Sequence, residues 1–317
     1  MTQTAIHNKS NTTSLNLSGK QLFGVPEDVF TQRELVEIWF DDNQIKEIPA
    51  DISQLVHLKR LSAYKNNLIS LPETLYLMRT LERINVSVNQ LSSLSDEIGN
   101  LENLQVLDLN HNKISILPET IGNLTNLRFL YLANNGISSL PESLKELRSL
   151  IYLNITFNRF TILPDSIGNL DNLIELRIYD NSISFIPGCI GNLKILKELH
   201  ATNNRIRSLP ESIGQLGSLK KLILENNLLE ILPENMGNLD SLLELNLRSN
   251  QLMRVPETIG NMKSLRMLDL RDNRLLSLPS SFRNLKTLEK LDVRLNKNLE
   301  IPEWFQELEQ RGCVVFY

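Results

Sequence analysis

The sequence predicts an α/β fold: a right-handed solenoid with parallel strands on a concave face and short helical turns on the convex face. Three observations carry this. A phrase of 23 residues recurs without a slip in thirteen copies, from Thr12 to Gln310. The same seven positions within it are apolar, and one position is asparagine in twelve of the thirteen copies. Repetition at this period is the signature of a stacked architecture, in which no single copy buries its apolar face alone.

Positions are counted 1 to 23 from Thr12, Leu35, Leu58 and their successors, and positions 1, 4, 6, 11, 14, 18 and 21 are apolar in all eleven interior repeats. Departures fall at the ends, at Thr12 and Gln32 in the first repeat and Asn298 in the last, as expected of caps that face water. Positions 4 and 6 alternate with exposed neighbours, which is the period of a short strand with one face buried. Position 9 is Asn from Asn43 to Asn296, with Lys20 in the first repeat. Its amide both donates and accepts, so it can satisfy backbone groups where each coil leaves its strand.

All twelve prolines stand at position 15, with Ser95 in the one gap. Proline there is expected as the first residue of a helical turn, followed by Glu or Asp at the turn's positive end. Glycine fills position 19 in seven repeats, but Tyr76, Lys145 and Arg283 hold it elsewhere. A positive φ is therefore not required, and close packing explains the preference. The closing "RGCVVFY" is read as a fourteenth, capping strand with Val314 and Phe316 directed inward. The domain thus spans 12–317, and residues 1–11 read as a polar, disordered tail. The chain is expected to be a monomer, with dimerisation through the free edge of the last strand as the alternative.

The phrase "LPETIGNLTNLRFLYLANNGI", Leu117 to Ile137, resembles the leucine-rich repeat of the 23-residue type with LPxxIGxL. That type occurs in bacterial repeat proteins and in Ras-binding leucine-rich-repeat scaffolds. The resemblance covers nearly the whole chain and implies a horseshoe fold and a protein-binding role. It implies a small GTPase or a signalling enzyme as partner in a eukaryote, or a host protein for a bacterium. The cysteine-rich caps of many extracellular relatives are absent, which points away from a eukaryotic surface receptor.

Composition narrows the classes further. A formal charge of −4 and a pI near 5.7 leave no basic excess for a phosphate backbone or an anionic membrane, so neither nucleic acid nor membrane is an expected partner. The start, "MTQTAIHNKSNTTS", lacks the apolar core of a secretory signal, and two distant cysteines, Cys189 and Cys313, fit a reducing compartment. The expected location is cytoplasmic; secretion without a cleaved signal is the alternative.

Since folding explains the inward positions, function is sought at positions 3, 5, 7, 8 and 10. Large aromatics gather there: Trp39, Tyr64, Phe129, Tyr131, Tyr152, Phe157 and Tyr179. Five of them, Phe129, Tyr131, Tyr152, Phe157 and Tyr179, come from three consecutive repeats and are expected to form one patch. Rings with polar tips on a rigid concave surface are common anchors of protein recognition. Arg177 and His200 are expected beside them.

Charge forms a second pattern, with Glu37, Asp41 and Asp42 at one end and Arg248, Arg271 and Arg294 at the other. These read either as a polarity that orients a partner or as a self-neutralising ladder with Asp269, Asp272 and Asp292. Glu175, Glu198 and His200 meet on adjacent strands, but without a nucleophile no catalytic, metal or cofactor site is assigned. The expected function is a non-catalytic protein-interaction scaffold. The alternatives are a secreted bacterial effector or surface protein that binds a host protein, and a carbohydrate-binding protein whose rings stack on sugars.

Overall fold

A computed structural model describes residues 13–317. The polar tail expected over 1–11 lies outside the described residues. The described residues form one sheet of fourteen parallel strands in sequence order, from β1 (Ser14–Asn16) to β14 (Val314–Phe316). Each interior strand pairs with the next at an offset of 23 residues, as in Leu107 opposite Leu130. The return limb of each of the first twelve repeats carries a five-residue 3-10 turn, so the molecule is a right-handed horseshoe solenoid.

The apolar positions read from the sequence are buried in every interior repeat, for example Leu150, Leu153, Ile155, Phe160, Leu163, Ile167 and Leu170. They make one continuous core along the solenoid. That continuity supplies the burial a lone repeat lacks.

The asparagine ladder couples each repeat to the one before it through hydrogen bonds. The Nδ2 of Asn204 donates to the carbonyls of Ala201 at 3.2 Å and Thr202 at 3.2 Å in its own repeat, and to Ile178 of the preceding repeat at 3.0 Å. Its Oδ1 accepts from the N–H of Ile183, also in the preceding repeat, at 3.0 Å. The same pattern recurs from Asn43 to Asn296. One side chain thus completes backbone groups that the inward turn would otherwise strip from both repeats.

One position was not legible beforehand. Position 8 has a positive φ in every repeat, from Gly19 at 65° and Asp42 at 52° to Leu295 at 65°. The chain turns off the strand through a left-handed residue, a region where Gly, Asn and Asp are favoured. Seven of the thirteen residues at this position are Gly, Asn or Asp, and that bias was the available signal. Val88, β-branched at φ 56°, is the most strained occupant.

On the convex face each proline precedes its turn and does not begin it. Pro49 sits at φ −60° and ψ 151°, in extended backbone, and its carbonyl accepts the N–H of Ile52 at 3.1 Å. The expected placement is thus shifted by one residue, because proline's fixed φ suits either side of that boundary. Ser95, in the one gap, caps its turn instead: its Oγ accepts from the N–H of Glu97 at 3.3 Å. The position-19 glycines have no positive φ, and a Cβ on Gly237 would stand 2.3 Å from the Thr258 carbonyl of the next repeat. Close approach between turns is therefore their role.

The last repeat departs from the frame. Its turn is a true helix, α1 (Phe305–Gln310), followed by Gly312 at φ 90°. The helix is held to the preceding turn by Arg283, which pairs with Glu307, and by Arg311, which donates to the Arg283 carbonyl at 2.8 Å. This route is one residue longer, so Lys290 pairs with Val314, Leu291 with Val315 and Asp292 with Phe316. The expectation that Val314 and Phe316 point inward is therefore wrong. They lie in line with the exposed positions, Val314 is 53% exposed, and a one-residue slip has exchanged the faces. The cap is closed beneath by Phe305, Leu308 and Cys313, and burial pushes the Cys313 thiol up to about 11.

Two stability changes are expected. Replacing Asn204 by Ala leaves buried carbonyls and an N–H unpaired, so urea denaturation should show a loss of ~1–3 kcal/mol. Val88→Asn relieves the left-handed strain and should shift the urea midpoint upward, by about 1 kcal/mol in stability.

Candidate functional site

The concave face is built by positions 3 and 5 of each strand, which flank the buried position 4 and cannot turn inward. Three consecutive strands matter most: β6 (Phe129–Tyr131), β7 (Tyr152–Asn154) and β8 (Glu175–Arg177). Phe129 and Tyr131 lie two residues apart on one strand, with rings nearly parallel at 8° and centroids 6.4 Å apart. Tyr152, paired in register with Phe129, brings its ring to 6.4 Å from Phe129 and 4.9 Å from Tyr131. All three are half-buried. Burial is the main cause that pushes the Tyr152 hydroxyl up to about 12, and it raises Tyr131 also. Both phenols therefore remain protonated hydrogen-bond donors over the whole neutral range.

Phe157 and Tyr179 form a separate pair, edge to face at 83° with centroids 5.7 Å apart. The five residues expected in one patch thus fall into a cluster of three and a pair. Arg177 lies between them. Its guanidinium is 6.0 Å from the Tyr152 centroid, its Nε is 2.5 Å from Glu175, and Tyr179 also supports its charge. Phe157 sits at the left-handed position with φ 51° and is 52% exposed. A bulky ring held in a disfavoured conformation and left in water is not explained by folding.

Trp39 and Tyr64 stand apart, on β2 (Glu37–Trp39) and just after β3 (Arg60–Ser62), four and three strands from Tyr131. Trp39 lies under Arg60, 5.8 Å from its guanidinium, and Tyr64 is 40% exposed. His200, on β9 (Glu198–His200), is joined through Nε2 to Glu198 at 2.9 Å. Potential ligand atoms of Glu175, Glu198 and His200 all lie within 4.8 Å of one another. Each carboxylate is already engaged, Glu175 by Arg177 and Glu198 by His200 and by Lys221 at 3.7 Å. The group reads as a compensated charge cluster.

The charged ends are compensated in the same way. Glu37 pairs with Arg60 at 3.4 Å, Asp42 with Lys65 at 2.7 Å, and Asp41 accepts from the Ser62 hydroxyl at 2.5 Å and the Tyr64 N–H at 2.9 Å. At the far end Arg248 pairs with Glu225 at 3.4 Å, Arg271 with Asp269 and Asp292, and Arg294 with Asp292 at 2.6 Å. Of the two readings of the charge pattern, the structure therefore favours the self-neutralising ladder. Arginine partners hold the Asp292 carboxyl low against its burial.

The sequence reading passed over positions 12 and 13, on the flank where the chain leaves the concave face. Serine is common there, yet Ile116, Ile162, Phe185 and Ile231 are 74%, 52%, 45% and 54% exposed. Bulky departures from a serine background were the signal.

Three stretches, 119–251, 79–137 and 264–285, match leucine-rich repeat families, described as a leucine-rich repeat region for the first and as the leucine-rich repeat for the others. The chain belongs to the leucine-rich-repeat family. No curated protein matches it. Among solved structures, this leucine-rich-repeat chain is similar to a leucine-rich-repeat protein of Leptospira interrogans, at 29% identity over 96% of this chain and 95% of that one, with a TM-score of 0.64. It is also similar to a TDR receptor, at 29% identity over 88% of this chain and 51% of that one, TM-score 0.79. The plant peptide hormone receptor RGFR1, solved in complex with RGF2, gives 26% identity over 85% of this chain and 45% of that one, TM-score 0.76. The chain spans about half the length of these two receptors.

Phe157→Asn should hold or raise stability to urea. Relief of ~1–2 kcal/mol at a left-handed position opposes the loss of an edge contact worth ~0.5–1.5 kcal/mol. A clear drop in the urea midpoint would show that the ring is there for folding.

Proposed function

We propose that this leucine-rich-repeat protein is a non-catalytic scaffold that holds a partner protein, or an extended segment of one, on its concave face. The carrying observation is the half-buried cluster of Phe129, Tyr131 and Tyr152 on a sheet whose interior strands are paired along both edges. Every interior strand has both edges paired, so the backbone offers no hydrogen bonds to a visitor and recognition falls to side chains. Rings already packed against one another lose little freedom on binding, which favours affinity. The family supports this reading, since RGFR1 was solved bound to RGF2.

The face has an apolar centre with a charged margin formed by Glu175, Arg177, Glu198, His200 and Lys221. That is the anatomy of an interface with a dry core and a polar rim. The pair Phe157 and Tyr179 offers a second, smaller apolar contact on the far side of Arg177. Trp39 and Tyr64 belong to a second contact region that only a partner spanning several repeats would reach.

The test is affinity capture followed by titration of the captured protein. Tyr131→Ala with Tyr152→Ala should weaken binding at least about tenfold, as expected when central aromatic anchors are truncated. Phe157→Asn, whose fold is expected to be intact, should weaken it less. Unchanged affinity in the double variant, with its circular dichroism preserved, would remove the concave face from the account.

A further inference from the structure

Acid, arginine and aromatic ring recur together on the concave face. Arg60 lies 3.4 Å from Glu37 with its guanidinium 5.8 Å from the centroid of Trp39. Arg177 lies 2.5 Å from Glu175 and 6.0 Å from the centroid of Tyr152. Arg294 lies 2.6 Å from Asp292 and 4.8 Å from the centroid of Phe316. In each set a planar cation meets a carboxylate while resting on a ring, an arrangement that suits guanidinium better than ammonium.

A fourth acid and ring stand together without an arginine paired to the acid. Asp108, on β5 (Val106–Asp108), is the register partner of Tyr131, and after burial its charge acts most strongly on the Tyr131 hydroxyl, ahead of Glu175 and Arg177 on the other side. Among the described residues no cationic side chain comes within ion-pair distance of Asp108. Asp108 accepts from the N–H of Asn110 at 3.0 Å, and the imidazole of His111 lies near enough to favour its charged form, a smaller influence than its burial or that hydrogen bond. Asp108 is half-buried, and burial pushes its carboxyl above the usual range. Arg83, on β4 (Arg83–Asn85), is exposed and makes no ion pair with it.

We propose that the partner supplies the missing cation: an arginine side chain that seats its guanidinium against the Asp108 carboxylate and over the ring of Tyr131. The inference rests on the proposed use of this face and adds the chemistry of the group it recognises. Tyr152, on the next strand, walls the seat on the side away from Asp108, Phe129 lies beside Tyr131 on the same strand, and apolar neighbours of that arginine in the partner would cover their rings. A partner segment of apolar–Arg–apolar character therefore fits, with its arginine at the Asp108 side of the cluster.

The probes are acetylated, amidated pentapeptides Gly-Leu-X-Leu-Gly with X as arginine, citrulline, lysine or glutamate. They are titrated into the full chain carrying ring-labelled tyrosine and followed by NMR. Citrulline keeps arginine's shape without its charge. The arginine peptide is expected to bind saturably, to move the Tyr131 ring resonances, and to bind about fivefold or more tighter than the citrulline peptide. Asp108→Asn, which retains the acceptor for Asn110, should abolish that difference while circular dichroism stays unchanged. Equal binding of the two peptides to wild type, no binding of either, or a preference that survives in D108N would overturn the assignment. A preference that emerges only in R83Q would overturn it too, since the chain would then be filling the seat itself. Failure of the broader reading looks different: if Y131A/Y152A loses a captured partner while D108N binds it normally, the patch stands and the arginine does not.

Discussion

Everything in this molecule depends on the hydrogen bonding of one side chain per repeat. The inward turn after each strand takes backbone carbonyls and N–H groups away from water, and no regular ladder reaches them. The position-9 asparagine closes that gap from inside, and it does so across the boundary between repeats, as Asn66 does by donating to Phe40 at 2.9 Å and accepting from Ile45 at 3.0 Å. A translation of 23 residues is thereby fixed in space, since any other spacing would leave the amide facing the wrong partners. Strand register, turn stacking and the continuous core follow from that translation.

The same constraint confines where function can be written. Seven positions are spent on the core, one on the ladder, one on the left-handed turn and one on proline. What remains free on the concave side is positions 3, 5 and 7, where neighbours along the solenoid lie about one strand spacing apart. Charges at such a distance find one another. This is why both ends, rich in acid or in arginine by sequence, resolve into local pairs and project little field outward. Aromatic rings have no such means of cancelling, and they are left as the distinctive feature of the centre.

The core and the ladder were legible because their signal is repeated thirteen times and each copy answers the same local question. The features that escaped depend on a single place or on geometry finer than a face. Val314 and Phe316 were assigned inward by continuing the period, and one extra residue along α1 and Gly312 reversed them. The positive φ at position 8 was hidden because Lys65, Val88, His111, Phe157, Ser249 and Leu295 dilute its Gly, Asn and Asp bias. Proximity in sequence columns placed five rings in one patch. The columns did not show that Phe157 would pack edge to face on Tyr179 as a pair apart from the three-ring cluster.

The recurrence of acid, arginine and ring deserves a physical reason, because repeat duplication does not provide one. Arg60 occupies position 3 of the repeat after its acid, Arg177 position 5 of the same repeat, and Arg294 position 7 of the same repeat. Three different spacings converge on one arrangement, so the cause lies in the surface. A carboxylate half-withdrawn from water beside a ring loses hydration that the ring cannot replace, and it needs a counter-charge. The ring's face then offers that cation a second favourable contact at no cost in hydrogen bonds, which a neighbouring aliphatic side chain would not. The surface solves this electrostatic problem three times with its own residues, and it leaves Asp108, at one side of its largest aromatic cluster, without an ion pair, which is the place where our proposal seats a partner's arginine.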